Sequence, residues 1–131
     1  MPLKSSQSDA VRPSLTIDSV RRVAMSLPRT EEHLIHGRLK FRVRSIVYVA
    51  FSRDQKTMGF AFPRELRNSL VEGEPDKFLM PKASELRFNW VCLRLNAIDG
   101  REMRTLVTEA WRMVVPRSVA AAHDREKHRH E

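Results

Sequence analysis

Cysteine, glycine and long apolar runs are scarce in this sequence, and each scarcity excludes something. Of the 131 residues only Cys92 is a cysteine, so an internal disulfide and a multi-thiolate metal site are both impossible and stability must come from packing. Four glycines leave little room for loops that cradle nucleotide phosphates, and no G-x-x-x-x-G-K-S/T, G-x-S-x-G or H-E-x-x-H string occurs. The expectation is a chain with no catalytic residues, no cofactor and no metal. No apolar run approaches the roughly 20 residues that span a bilayer. The start, Met1-Pro2-Leu3-Lys4-Ser5-Ser6, lacks the apolar stretch of a signal peptide, so a cytoplasmic protein with no membrane partner is expected.

Acidic residues are also scarce in one place. Lys and Arg outnumber Asp and Glu by 24 to 16 over the chain, yet residues 36–56 hold six cations against one carboxylate and so carry +5 of the net +8. Residues 16–35 and 57–99 are each balanced, and the stretches before and after them add little. A basic excess matters for partners when it is concentrated in this way.

What remains suits one domain of ordinary size. Residues 1–14 are polar, contain Pro2 and Pro13 and lack apolar periodicity, so they read as a disordered lead-in. Residues 15–118 read as the domain, and residues 119–131 as a charged, histidine-containing tail able to form a frayed helix. Val20, Val23, Ala24 and Leu27 recur at helical spacing between a capping Thr16 and a terminating Pro28. A polar loop through Glu31, Glu32, His33 and Gly37 is expected next. Leu39, Phe41 and Val43 then alternate with Lys40, Arg42 and Arg44, which predicts a half-exposed strand. Ile46 to Phe51 and Thr57 to Phe62 follow as strands around the polar turn Arg53-Asp54-Gln55-Lys56. Pro63 opens a short second helix with Leu66, Leu70 and Val71 at core spacing, ended by Gly73 and Pro75. Phe78 to Met80 and Trp90 to Leu95 read as two more strands. Asp99 and Glu102 have capping-box spacing ahead of the stripe Met103, Leu106, Val107, Ala110, Trp111 and Val114, which runs to Pro116. The order α-β-β-β-α-β-β-α predicts a two-layer α+β fold, with helices packed on one face of a five-stranded antiparallel sheet and the other face partly open.

Several strings, in order, carry a family resemblance. Val20-Arg21-Arg22-Val23-Ala24, Leu27-Pro28 before Glu31-Glu32, Gly37-Arg38 and Phe41-Arg42-Val43 form the first half. Asp76-Lys77-Phe78, Trp90-Val91 before Arg94-Leu95, and Glu109-Ala110-Trp111-Arg112 before Pro116 form the second. Over residues 16–119 the chain resembles the MmcQ/YjbR family of small bacterial proteins. It departs from the family pattern at Leu39, at Ser45-Ile46 and at Asn89. The resemblance implies three helices on a five-stranded antiparallel sheet, similar to the type III secretion chaperone fold. It also implies a DNA-binding label that rests on likeness to a double-wing motif, and it supplies no catalytic residues.

The residues themselves point to a binding face. Alternation puts Lys40, Arg42 and Arg44 on one side of their strand, with Arg38 extending the row, and the same parity puts Trp90, Cys92 and Arg94 on one side of the last strand. With Arg53 and Lys56 from the intervening turn, these cations and the Trp90 ring form the candidate nucleic-acid site, for a single strand by stacking or for a duplex by charge alone. A solvated face, with arginine stems lying over Trp90 and Tyr48, is the other reading of the same residues. The function expected is a non-enzymatic binding module with nucleic acid, DNA favoured, as partner. The alternatives are a chaperone-like or homodimerising protein-interaction module on the open sheet face, or a small-molecule binder. His33 and His36 fall in a loop, and His123, His128 and His130 fall in the tail, so neither group predicts a metal site. Cys92 reads as a packing residue.

Overall fold

In the computed structural model, residues 15–129 are described; the N-terminal lead-in and the last two residues lie outside them. Helix α1 (Ile17–Met25) starts where expected, the Thr16 hydroxyl accepting from the Ser19 amide at 3.2 Å. Three antiparallel strands follow, β1 (Thr30–Ile35), β2 (Arg38–Val43) and β3 (Ile46–Phe51), and then β4 (Thr57–Ala61). A 3-10 turn and α2 (Arg67–Gly73) lead to β5 (Phe78–Leu79) and β6 (Trp90–Arg94), and the chain closes with α3 (Gly100–Arg112) and α4 (Arg117–Arg129). The Asp99 carboxylate caps α3 through the Glu102 amide at 2.9 Å.

The sheet is antiparallel with strand order β1-β2-β3-β4-β6-β5, six strands where five were expected. The added strand is β1, formed by the residues predicted as a polar loop. As an edge strand it is paired only to β2, so it needs no apolar face and its Glu31, Glu32 and His33 leave no alternating signal. Its turn into β2 is the two-residue pair His36-Gly37, both at positive φ (53° and 75°), the backbone that a tight antiparallel hairpin requires.

One face of the sheet is covered. Phe41, Val43, Val49, Phe51, Met58, Phe60, Val91 and Leu93 are almost wholly buried together with Val20, Ala24, Met103, Val107 and Trp111 from the helices. The Trp111 indole N–H donates to the Pro28 carbonyl at 2.8 Å, which ties α3 to the end of α1. Tyr48, also buried, shares a 2.7 Å hydrogen bond with Thr30, and burial pushes its phenol up to about 12 despite that bond. The tail expected as a frayed helix is helical as α4, and it is docked. Arg112 grips the Asp124 carboxylate with both terminal nitrogens, and the His123 ring meets Trp111 edge-on at 5.0 Å.

The second helix reverses an expectation. Leu66, predicted for the core, is 53% exposed, and the buried residue of α2 is Arg67, at 6%. A 3-10 turn over Arg64–Leu66 rotates the helix, and Arg67 enters the interior because it has acceptors there. Its terminal nitrogens donate to the carbonyls of Leu86 (2.8 Å), Phe88 (3.1 Å) and Trp90 (3.0 Å). One guanidinium thus organises the segment that leads into β6, and a lysine has no fork with which to do the same. Replacing Arg67 by alanine orphans these carbonyls and is expected to cost about 3 kcal/mol or more. In urea denaturation R67K should recover only a minor part of that loss; full recovery by lysine would show that charge alone matters.

Candidate nucleic-acid interface

The face of the sheet away from the core carries three cross-strand rows. In the middle row Lys40 pairs with Ala50, Ala50 with Gly59 and Gly59 with Cys92. At one end lie Arg38, Ser52, Thr57 and Arg94, connected by Thr57 opposite Arg94 and by the Ser52 amide bonding to the Thr57 carbonyl at 3.1 Å. At the other end lie Arg42 opposite Val47, and Ala61 opposite Trp90. The small residues of β3, β4 and β6 make a low floor, above which a cleft of about 460 Å³ is lined by Arg38, Lys40, Val47, Gly59, Phe88 and Trp90 among others.

Gly59 creates the space for Trp90. A Cβ at residue 59 would lie 2.5 Å from Trp90 Nε1, closer than non-bonded atoms approach, so the indole rests directly on the backbone of β4. The Trp90 ring spans from its own end of the cleft over the middle row and is partly buried. The cleft is consequently bipartite. Trp90, Val47, Ile46, Phe88 and Met113 give it an apolar, aromatic end, and Arg38 with Ser52 and Thr57 gives it a polar, cationic end. The ends are four residues of β4 apart, about 13 Å at the usual strand rise.

The predicted cations are not equivalent. Arg38 and Lys40 line the cleft, with Arg38 Nε donating to the Phe51 carbonyl at 3.1 Å and so keeping its outer nitrogens for a ligand. Arg42 faces the same way, but Glu31 lies directly opposite it on β1, with its carboxylate 3.6 Å from Arg42 Nε. Arg44 is not in the row. β2 ends at Val43, and Arg44 sits in the turn at φ 57°; strand alternation stops applying where the chain reverses. Arg94 is on the predicted face, but Nη1 is held by the carbonyls of Pro75 and Asp76, each at 3.0 Å. Arg53 and Lys56 are exposed in the β3–β4 turn beyond the cationic end. There the Ser52 hydroxyl and the Lys56 amide bond to the Asp54 carboxylate and hold it below its usual range. Missed by sequence reading were Phe88 and Glu85, which line the cleft from an irregular segment, and Arg67, which holds that segment in place.

Cys92 is in the middle row, half-buried. Burial first, and the Glu85 carboxylate second, push its thiol up to about 11, so at neutral pH it is protonated and a poor nucleophile. His33 is on β1 opposite Lys40, and His36 is in the turn. Among the described residues no group of three or more His, Cys, Asp or Glu is placed to hold a metal ion, and no helix is long and apolar enough to cross a membrane.

Two outcomes follow from this geometry. Alkylation of Cys92 by iodoacetamide is expected to be negligible at pH 7 and to accelerate up to about pH 11, where the thiolate forms; rapid reaction at pH 7 would contradict the burial. G59A should displace the indole rather than the strand, at a cost of about 1 kcal/mol. Acrylamide quenching of tryptophan fluorescence should rise as Trp90 swings into solvent, because Trp111 stays buried.

No curated protein matches the chain. Among solved structures, the crystal structure of Deinococcus radiodurans protein DR2400, family-model domain DUF419, is similar with a TM-score of 0.67 at 19% identity, covering 77% of this chain and 79% of that one. At that identity the likeness concerns the fold. The YjbR family model matches residues 25–113, from the end of α1 through the whole sheet and α3, and the chain belongs to the YjbR family.

Proposed function

We propose that the protein is a non-enzymatic binding module that takes single-stranded nucleic acid, DNA in the first instance, in the cleft on the open sheet face. The observation that carries this reading is that one cleft holds the Trp90 ring at one end, Arg38 at the other and Lys40 in the row between them. An unpaired base stacks on an aromatic face, and its neighbouring phosphates pair with guanidinium and ammonium groups. Arg53 and Lys56 lie beyond the cationic end and extend the path for the backbone. A duplex suits the surface less well. Its bases are already stacked and its backbone is read by charge alone, while Arg42 faces a carboxylate and Arg94 is bonded to backbone carbonyls.

A second reading has its own observation. Ile46 (52% exposed), Phe88 (50%) and Met113 (41%) surround the apolar end of the cleft, and contiguous exposed apolar side chains suit a protein partner. Salt separates the two readings. Fluorescence anisotropy with a labelled single-stranded oligonucleotide should show affinity falling steeply as salt rises. The R38A/K40A variant should lower the magnitude of that salt slope by about one to two, and W90A should cost about 1–3 kcal/mol of binding. Affinity that is flat with salt and indifferent to Arg38 and Lys40 would remove the nucleic-acid reading.

A further inference from the structure

The helical side of the molecule carries a second concentration of positive charge, distinct from the sheet cleft. A groove of about 730 Å³ runs between α1, α3 and α4. Arg22 reaches it from α1, Arg101 and Arg104 from α3, and Lys127 from α4. These four come from stretches whose own charge is near balance. Helical spacing segregates them: Arg101, Arg104, Thr105 and Thr108 are at i, i+3, i+4 and i+7, one face of α3. Docking of α4 by the Arg112–Asp124 pair then brings Lys127 to the same groove.

The carboxylates of the lining are Glu109 and Glu126. Glu109 pairs with Arg112 at 3.2 Å, and Arg112 is also held by Asp124. Among the described residues neither Arg22, Arg101, Arg104 nor Lys127 is in an ion pair. The lining therefore carries five cations, Arg112 included, against the two carboxylates, and an anion that enters the groove offsets this excess. The groove contains no ring of the Phe, Tyr or Trp type, and the one ring in its lining, the His123 imidazole, already packs edge-on against Trp111, so it lacks the broad aromatic face that the sheet cleft has in Trp90. The Ser26 and Thr105 hydroxyls already donate to the Val23 and Arg101 carbonyls, so the donors of the groove are the guanidinium and ammonium groups together with the Thr108 hydroxyl. Donors of this kind, set along a groove, match an anion with several charged oxygens in a line.

We infer that this groove is a binding site for a linear oligophosphate, either as the inorganic chain or as the triphosphate of a nucleotide. The inference does not rest on the sheet cleft. Isothermal titration calorimetry with inorganic tripolyphosphate, with ATP and with sulfate at matched ionic strength tests it on the full chain. Tripolyphosphate should bind well above sulfate, and R101A/R104A should weaken it about tenfold or more, since two charge-assisted contacts are removed. Both arginines are exposed, so the variant should fold and keep its oligonucleotide affinity, which separates this site from the cleft. ATP binding as tightly as tripolyphosphate places the specificity in the phosphate chain of a nucleotide; tripolyphosphate alone places it in the inorganic chain. Tripolyphosphate bound no better than sulfate, or equally well by R101A/R104A, would overturn the proposal.

Discussion

The Trp90 indole packs directly on strand β4 because residue 59 has no side chain, and the open face of the sheet is organised around that contact. The solvated face of an antiparallel sheet normally carries polar side chains. Here Ala50, Gly59, Ala61 and Cys92 keep the floor low, and a tryptophan from the neighbouring strand occupies part of the space. The segment that leads into β6 is fixed by Arg67, which gathers the carbonyls of Leu86, Phe88 and Trp90 itself. A buried guanidinium bonded to the Trp90 carbonyl and a missing Cβ at residue 59 thus together fix the place of the indole.

Charge on this protein is arranged by the elements rather than by segments of sequence. On the sheet, neighbouring strands decide which cations remain available: β1 places Glu31 opposite Arg42 but His33 opposite Lys40. On the helices, three elements that are each only modestly basic contribute cations to one groove. The two surfaces differ in what accompanies the charge. The sheet cleft combines cations with an indole and small apolar residues, whereas the helical groove combines cations with hydroxyls.

Much of the fold was legible in the sequence because its signals are local. Thr16 and Asp99 cap the helices they were expected to cap, and the alternation of Leu39, Phe41 and Val43 placed β2 with its core face correctly. β1 was missed because an edge strand of Thr, Glu and His has no apolar period to detect, although His36-Gly37 beside alternating residues was a usable turn signal. Of the candidate site, the shared face of Lys40, Arg42, Trp90 and Arg94 was legible from parity. Arg44 was not, because parity ends at a turn whose backbone needs a positive φ. The capture of Arg94 by the carbonyls of Pro75 and Asp76, and of Arg67 by those of the segment before β6, depends on contacts about 20 residues apart that no local pattern encodes.

The most direct test of the account uses the two tryptophans as separate reporters. Trp111 is fully buried with its indole bonded to Pro28, and Trp90 lies in the cleft. In a two-dimensional NMR titration with a short single-stranded DNA, the indole N–H of Trp90 and the Nε–H of Arg38 should shift together and saturate at one equivalent, with the Trp111 indole still. Saturable shifts that leave Trp90 and Arg38 in place would contradict the claim that the open sheet face is the binding surface.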